Sequence, residues 1–292
     1  MKRLTLICLL LAAMLVLSGC AAIHITKEVL ETEEAREAIA SGWETLTDGL
    51  NGGLHVGGDA GSEPTEEFGR DTGRGVKDGF ALGGASLPVD GIREIEIEWI
   101  AGEVEFECYD GSEIVFSETS AEQLSERQTM RYLVKDGELE IRCCESKTVQ
   151  LPEKTLTVQI PASLIVDELE ADVVSASLTA RGVQAREIKL ESVSGNICAD
   201  GLTAEKLQID TVSGIAEILR CDVARKLEID TVSGNAAMQL AASATGFTLK
   251  FDTVSGSVHC DVPVTTSRKS MVYGDGSLEI EMESVSGSFK IS

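Results

Sequence analysis

The chain has 292 residues, 43% hydrophobic and only 4% aromatic, with 25 basic against 49 acidic side chains and a formal net charge of −24. A balance this acidic argues against nucleic acid as a partner and against a basic patch that clings to anionic lipid. Its simplest effect is to keep the chain soluble.

Met1-Lys2-Arg3 is followed by an apolar run from Leu4 to Leu17 and then by Leu-Ser-Gly-Cys ending at Cys20. A basic start, a short apolar core and small residues before a cut describe a secretion signal. The run is too short for a membrane span of about 20 residues. These residues also resemble the bacterial lipoprotein signal, which implies that Cys20 is lipidated and becomes the new N-terminus. The expectation is an exported protein, lipid-anchored to the bacterial membrane and facing the cell exterior or the periplasm. Removing residues 1–20 takes two basic residues and no acids, leaving 23 against 49, a net −26.

Of the eight cysteines, Cys8 leaves with the signal and Cys20 carries lipid. The remaining six lack CxxC or zinc-type Cys/His spacing and are expected mostly as free or buried thiols, with no disulfide pairing assigned.

Residues 21–90 read as a tether. Val29, Ala35, Ile39, Trp43, Leu46 and Leu50 fall in a loosely helical pattern over residues 27–50. From Gly49 to Gly84 glycine recurs among Asp, Glu, Ser and Thr, which describes a flexible linker. From residue 91 to 292 the chain turns into short alternating runs such as Arg-Glu-Ile-Glu-Ile-Glu-Trp from Arg93 and Lys-Thr-Leu-Thr-Val-Gln-Ile from Lys154. Period two predicts strands. Asp110-Gly111 and Asp136-Gly137 supply turn signals, and a helical piece is expected only around residues 121–131.

The strand region repeats a phrase of acid, hydroxyl, Val, Ser and Gly. Its glycines are Gly195, Gly214, Gly234, Gly256 and Gly287, at intervals of 19, 20, 22 and 31 residues. A period near 20 is that of a solenoid. Counting from each glycine, positions −7, −5, −2, +2 and +4 are apolar; the −2 position is valine every time. If all five face inward, the chain bends at the acid-hydroxyl step. Val232 is then expected inside, and Glu228, one residue beyond the inward Leu227, is expected to tolerate substitution. A degenerate coil centres on Ala176 and another on Gly102, where Trp99 is expected to face outward. By the same parity Cys260 takes an inward slot and Cys198 an outward one. One coil cannot offset the entropy of ordering its own residues, so the coils must stack. The expected fold is all-β, a right-handed parallel β-solenoid-like stack of about 20-residue coils behind a flexible N-terminal tether.

"IEIEWIAGEVEFE", "LTVQIPASL" and the serial "DTVSG" resemble the bacterial family of putative adhesins of unknown function also called the toastrack domain, over residues 92–292. The resemblance implies a β-solenoid-like domain on envelope proteins, linked with cell-surface adhesion or envelope sensing. It brings no catalytic residues.

Four before each glycine stands an acid: Glu191, Asp210, Asp230, Asp252 and Glu283, with Asp172 in the degenerate coil. Acids on one face of a β-helix could serve polysaccharide cleavage or elimination. The reading preferred here is structural: acid and hydroxyl accept backbone N–H groups at the corner, and the glycine serves either a positive φ or close packing. An active site is singular, whereas this feature recurs along the whole stack. Calcium wants 6–8 oxygens, but neither the EF-hand spacing nor the Gly-Gly-x-Gly-x-Asp repeat is present, so no metal or other cofactor is expected. His24, His55 and His259 stand apart, and no nucleophilic triad or phosphate loop can be assembled. The expectation is a non-catalytic envelope scaffold, with an envelope protein or polysaccharide as partner. A polysaccharide-acting β-helix enzyme and a calcium-stabilised adhesive module are the alternatives.

Overall fold

The computed structural model describes residues 79–145, 151–267 and 270–292. The signal segment, Cys20, the helix expected over residues 27–50 and nearly all of the linker lie outside the described residues. Among the described residues the domain is all-β: twenty strands join in one sheet in which most pairings are parallel.

Each coil contributes a leading strand, a corner and a trailing strand. In two coils a single 16-residue strand, Glu94–Tyr109 or Val166–Arg181, runs through the corner unbroken. Leading strands pair in parallel in the order Glu138–Arg142, Glu94–Tyr109, Val166–Arg181, Ala185–Ser192, Thr203–Thr211, Asp222–Thr231, Leu278–Ser284, Gly246–Thr253. Trailing strands follow the same order: Lys154–Pro161, the ends of the two long strands, Ile197–Asp200, Ala216–Leu219, Ala236–Gln239, Ser288–Ile291, Ser257–Cys260. Apart from one register shift between Ala204 and Lys206, matching residues pair in step, so Asp210 faces Asp230 and Leu207 faces Leu227. Identical patterning in every coil makes this the register that keeps all apolar side chains on one side.

The stack departs from chain order at both ends. The last coil, Leu278–Ser284 with Ser288–Ile291, enters between the coils of Asp222–Thr231 and Gly246–Thr253. The long 31-residue interval holds two antiparallel strands, Ser270–Gly274 on the outer edge of Gly246–Thr253 and Thr265–Ser267 beyond it. At the opposite end the coil of Glu138–Arg142 and Lys154–Pro161 lies outside that of Glu94–Tyr109. Antiparallel strands Arg131–Lys135 and Glu113–Ser120 cover it.

Four expectations are corrected here. The sheet begins earlier than residue 91: Ala81–Leu82 pairs with Arg131–Lys135, and Ala85–Pro88 with Glu113–Ser120. Strands this short, separated by Gly83-Gly84, show no periodicity that distinguishes them from a linker. No helix forms at residues 121–131; Ser125 instead ties its N–H and hydroxyl to the Gln128 side chain in a turn. Asp136-Gly137 closes a hairpin with both residues at positive φ, but the strands that flank Asp110-Gly111 are separated by Lys154–Pro161.

The fourth correction moves the bend. Positions −7 and −5 point inward as expected, and so do +2 and +4; Leu227, Ile229, Ala236 and Met238 are at most 3% exposed. The position that continues the inward alternation is −3, not −2: Ser192, Thr211, Thr231 and Ser284 are buried, and Trp99 fills the same slot at 1% exposure. The two residues that step outward are therefore valine and serine. Val174 and Val254 are 46% and 79% exposed, and Val232 is half-buried outside the core. Glu228 does face outward, yet it is 1% exposed because Lys206 and Lys226 close over it at 3.2 and 2.7 Å. Cys260 and Cys198 are both half-buried, the former because its coil ends the parallel stack.

Val232→Asp is therefore expected to cost less than about 1 kcal/mol, as at an ordinary surface position. Glu228→Lys buries a third ammonium beside two others and is expected to cost about 3 kcal/mol or more. Urea unfolding of both variants checks the order, which is the reverse of what parity alone suggested.

Candidate functional site

The repeated corner is the feature most plainly shaped by selection of residue type, and its geometry accounts for each position. A Cβ added to Gly195 would meet the Ala176 carbonyl, one on Gly214 the Gly195 carbonyl, and one on Gly234 the Gly214 carbonyl. The series continues through Gly287 against Gly234 and Gly256 against Gly287. Every one of these approaches is closer than 3.0 Å, which real Cβ atoms essentially never reach. None of the five glycines has positive φ, so of the two roles expected from the sequence, close packing is the one they serve.

Three before the glycine, the inward hydroxyl accepts the glycine N–H. Ser192, Thr211 and Thr231 do so at 2.9, 3.0 and 2.8 Å, and Thr253 and Ser284 at 2.7 Å. This local bond satisfies a polar group that would otherwise be buried unpaired. One before the glycine, serine donates both its N–H and its hydroxyl to the valine carbonyl of the adjacent coil: Ser194 to Val174, Ser213 to Val193, Ser233 to Val212, Ser286 to Val232 and Ser255 to Val285.

Asp210 does a different job from the one expected. Asp210 takes the Gln208 side-chain amide at 2.8 Å, while its other oxygen, like one oxygen of Asp172, is buried without a hydrogen-bond partner. Register sets them in a continuous column, Glu98, Asp172, Glu191, Asp210, Asp230, Glu283, Asp252, with Arg142 at the end beside Glu98. Asp230 is 8% exposed and Asp252 is exposed. Burial first, then the neighbouring charges of Glu191 and Glu170, raises the Asp172 carboxyl to about 7. Burial also raises Asp210, to about 6, against the opposing Gln208 hydrogen bond. Glu96, in the next outward column, reaches about 7 through burial, a hydrogen bond with Glu138 and the charge of Glu140.

Glu170, Asp172 and Glu191 each offer an oxygen within 4.8 Å of the others, the geometry in which a cation could be held. Lys189 already supplies one: its ammonium bonds Glu170 and also Glu191, the latter at 2.7 Å. A second buried charge escaped the sequence reading. Lys154 lies opposite Gly102 at the end of the glycine column, with its side chain fully buried over the Trp99 ring at 4.8 Å. Its three donors reach Glu118 at 2.6 Å and the carbonyls of Gln128 and Cys143. Nothing in an alternating run marks an inward lysine except its phase, Lys154 being in step with Leu156 and Val158. Burial pushes the thiols of Cys198, Cys221 and Cys260 up, Cys221 to about 11, and the neighbouring Cys144 together with burial raises Cys143. Raised thiols are poor nucleophiles at neutral pH.

Two outcomes follow from the corner and its column. Gly214→Ala is expected to cost about 3 kcal/mol, since a methyl cannot fit against backbone of the next coil. Gly201→Ala, at φ +63° with open space around it, should cost about 1 kcal/mol; equal costs in urea unfolding would remove the close-packing account. The second outcome is a pH profile. Asp172, Asp210 and Glu96 have folded values above their unfolded ones, so the stability they permit is complete near pH 4 and is lost as pH rises through about 6 to 7. The melting temperature should therefore climb between pH 8 and pH 5. Asp172→Asn should stabilise at pH 8 by on the order of 1–2 kcal/mol after allowance for solvent screening, with the gain vanishing by pH 4; thermal unfolding across pH reads both.

Comparison with known proteins places these observations. No curated protein matches the chain. Among solved structures, a "putative cell adhesion protein" from Clostridium sporogenes is 14% identical, covers 73% of this chain and 96% of its own, and superposes with a TM-score of 0.46. A "putative adhesin" from Bacteroides fragilis is 10% identical over 73% of this chain and 97% of its own, TM-score 0.32. A "putative lipid binding protein" from Parabacteroides distasonis is 13% identical over 74% and 98%, TM-score 0.35. The family described as Toastrack DUF4097 matches residues 86–292, the whole of the stacked sheet from Ala85–Pro88 onward, and the chain belongs to that family.

Proposed function

We propose that this protein is a lipid-anchored, non-catalytic lipoprotein of the bacterial envelope, and that its stacked domain is a scaffold used in adhesion or envelope sensing. The observation that carries the reading is the corner itself. Its hydroxyl, serine and glycine are each spent on bonds or contacts within the stack, so the most repeated residues of the chain are tied up in holding it together. A catalytic pair needs one place where the pattern breaks, with an acid, a base and room for substrate. The column of carboxylates instead recurs coil after coil. Membership of the toastrack family agrees with a domain displayed on the cell envelope, and the Leu-Ser-Gly-Cys sequence at Cys20 supplies the anchor. The membrane is then reached through N-terminal lipid, and the partner is an envelope protein or polysaccharide.

Cys20→Ala is expected to release the protein from the membrane fraction or leave an unprocessed precursor. Wild-type fractionation and migration of this variant would remove the lipoprotein reading. Degradation of an acidic polysaccharide by the purified protein would overturn the scaffold reading in favour of an enzyme, and a calcium-dependent rise in melting temperature would favour the calcium-stabilised adhesive module.

A further inference from the structure

The corner leaves one of its residues without a structural task. The bond from each serine goes to the backbone carbonyl of the −2 residue, which any amino acid supplies, yet that residue is valine in all five phrases and in the degenerate coil. In stack order the side chains of Val174, Val193, Val212, Val232, Val285 and Val254 follow one another on the outside of the bend, exposed or half-buried. Two of the seven exposed large apolar side chains among the described residues, Val174 and Val254, stand here. With coils about 4.8 Å apart, the six valines make an apolar ridge on the order of 24 Å long.

Two residues before each valine stands the carboxylate column, which contains no lysine or arginine from Glu98 to Asp252. Lys189 neutralises part of it at Glu191; Glu283 and Asp252 continue the negative flank toward the far end. An apolar ridge with acid along one side discriminates among occupants by charge. The chain's own apolar-patterned residues 27–50 carry seven acids and two bases, and a second copy is as acidic as the first, so both are repelled. A cationic amphipathic helix gains on both counts. Its side chains repeat every 5.4 Å along the axis, near the spacing of the coils, and about 16 residues span the ridge.

We propose that the valine ridge and its flanking carboxylates are a docking surface for a cationic amphipathic helix of a partner protein or peptide. This rests on the reading of the domain as a binding scaffold and names the chemistry of what it binds. The test uses the unlipidated mature chain, residues 20–292, and two synthetic 16-residue helices, one of leucine and lysine and one of leucine and glutamate. Titration followed by fluorescence anisotropy should show the lysine helix binding in the micromolar range, with at least tenfold loss between 50 mM and 500 mM salt, and the glutamate helix not binding. Val193→Ser/Val212→Ser/Val232→Ser keeps every corner carbonyl and should weaken binding at least tenfold. Asp210→Asn/Glu283→Gln/Asp252→Asn should weaken it and flatten the salt dependence, and it decides the matter should the serine variant fold poorly. No binding by the lysine helix, equal binding of both helices, or unchanged binding by the carboxylate variant overturns the proposal. Any of these would leave the lipid-anchored scaffold standing, because that reading is tested by fractionation and by the absence of turnover.

Discussion

The structure depends on how closely one corner can approach the next. Where a solenoid of strands turns, the backbone of each coil must pass over the backbone beneath it, and here the gap admits a hydrogen but no carbon. Glycine at that point is a steric requirement in every coil except that of Ala176 and the end coil of Lys154, and the other corner residues accommodate what it imposes. A glycine N–H pressed into the interior needs an acceptor, which the hydroxyl three residues earlier provides. The backbone that swings outward to make the turn needs fastening to its neighbour, which the serine provides twice over. At one end of the column, where Lys154 stands opposite Gly102, no further coil stacks, and the inward space takes a long side chain with an ammonium at its tip.

Perfect register has an electrostatic consequence. Stacking the same residue on itself aligns apolar side chains to advantage, but it aligns carboxylates equally well. The fold tempers this by setting lysines in the adjoining outward columns: Lys189 between Glu170 and Glu191, Lys206 and Lys226 around Glu228, Lys250 beside Glu279 and Glu281. These sites sit toward the middle and one end of the stack. At the other end, among the leading-strand segments containing Glu94, Glu96, Glu138, Glu140, Glu168 and Glu170, Arg142 is the one outward cation, and there burial and like charge together raise Glu96 and Glu168. The acidic composition is thus distributed along a gradient rather than spread evenly.

Much of this was legible in the sequence. The all-β stack, the inward positions −7, −5, +2 and +4, and the need for glycine all follow from columns that any reader can align. The bend was not, because valine and threonine are both β-branched and adjacent, so hydrophobicity alone assigned the interior to the wrong one. Only the hydrogen-bond demand of the glycine N–H shows that threonine must be the residue inside. Trp99 was misplaced for the same reason, since it occupies the hydroxyl's slot in a coil that lacks the phrase. Coil order was also hidden: every coil offers the same columns, so the sequence cannot say which neighbour each one takes. The single trace was the 31-residue interval before Gly287, whose surplus folds into the outer hairpin. Burial of Glu228 came from the reach of neighbouring lysine stems, which alternation does not report.

The exchange of the last two coils bears on how the domain can be completed. Repeat stacks usually grow from any nucleus by adding units at an end. Here the strand that ends at Ile291 is an interior layer, flanked by Ala236–Gln239 on one side and Ser257–Cys260 on the other. The outermost coil therefore cannot reach its final place on the stack until the coil of Leu278–Ser284 and Ser288–Ile291, later in the chain, has taken the seat beneath it. A chain that folds from its N-terminal side must hold that seat open until Leu278–Ser284 and Ser288–Ile291 arrive. Loss of Ser288–Ile291 would strike at the inside of the stack, and would do more harm than removing one outermost repeat of an ordinary solenoid.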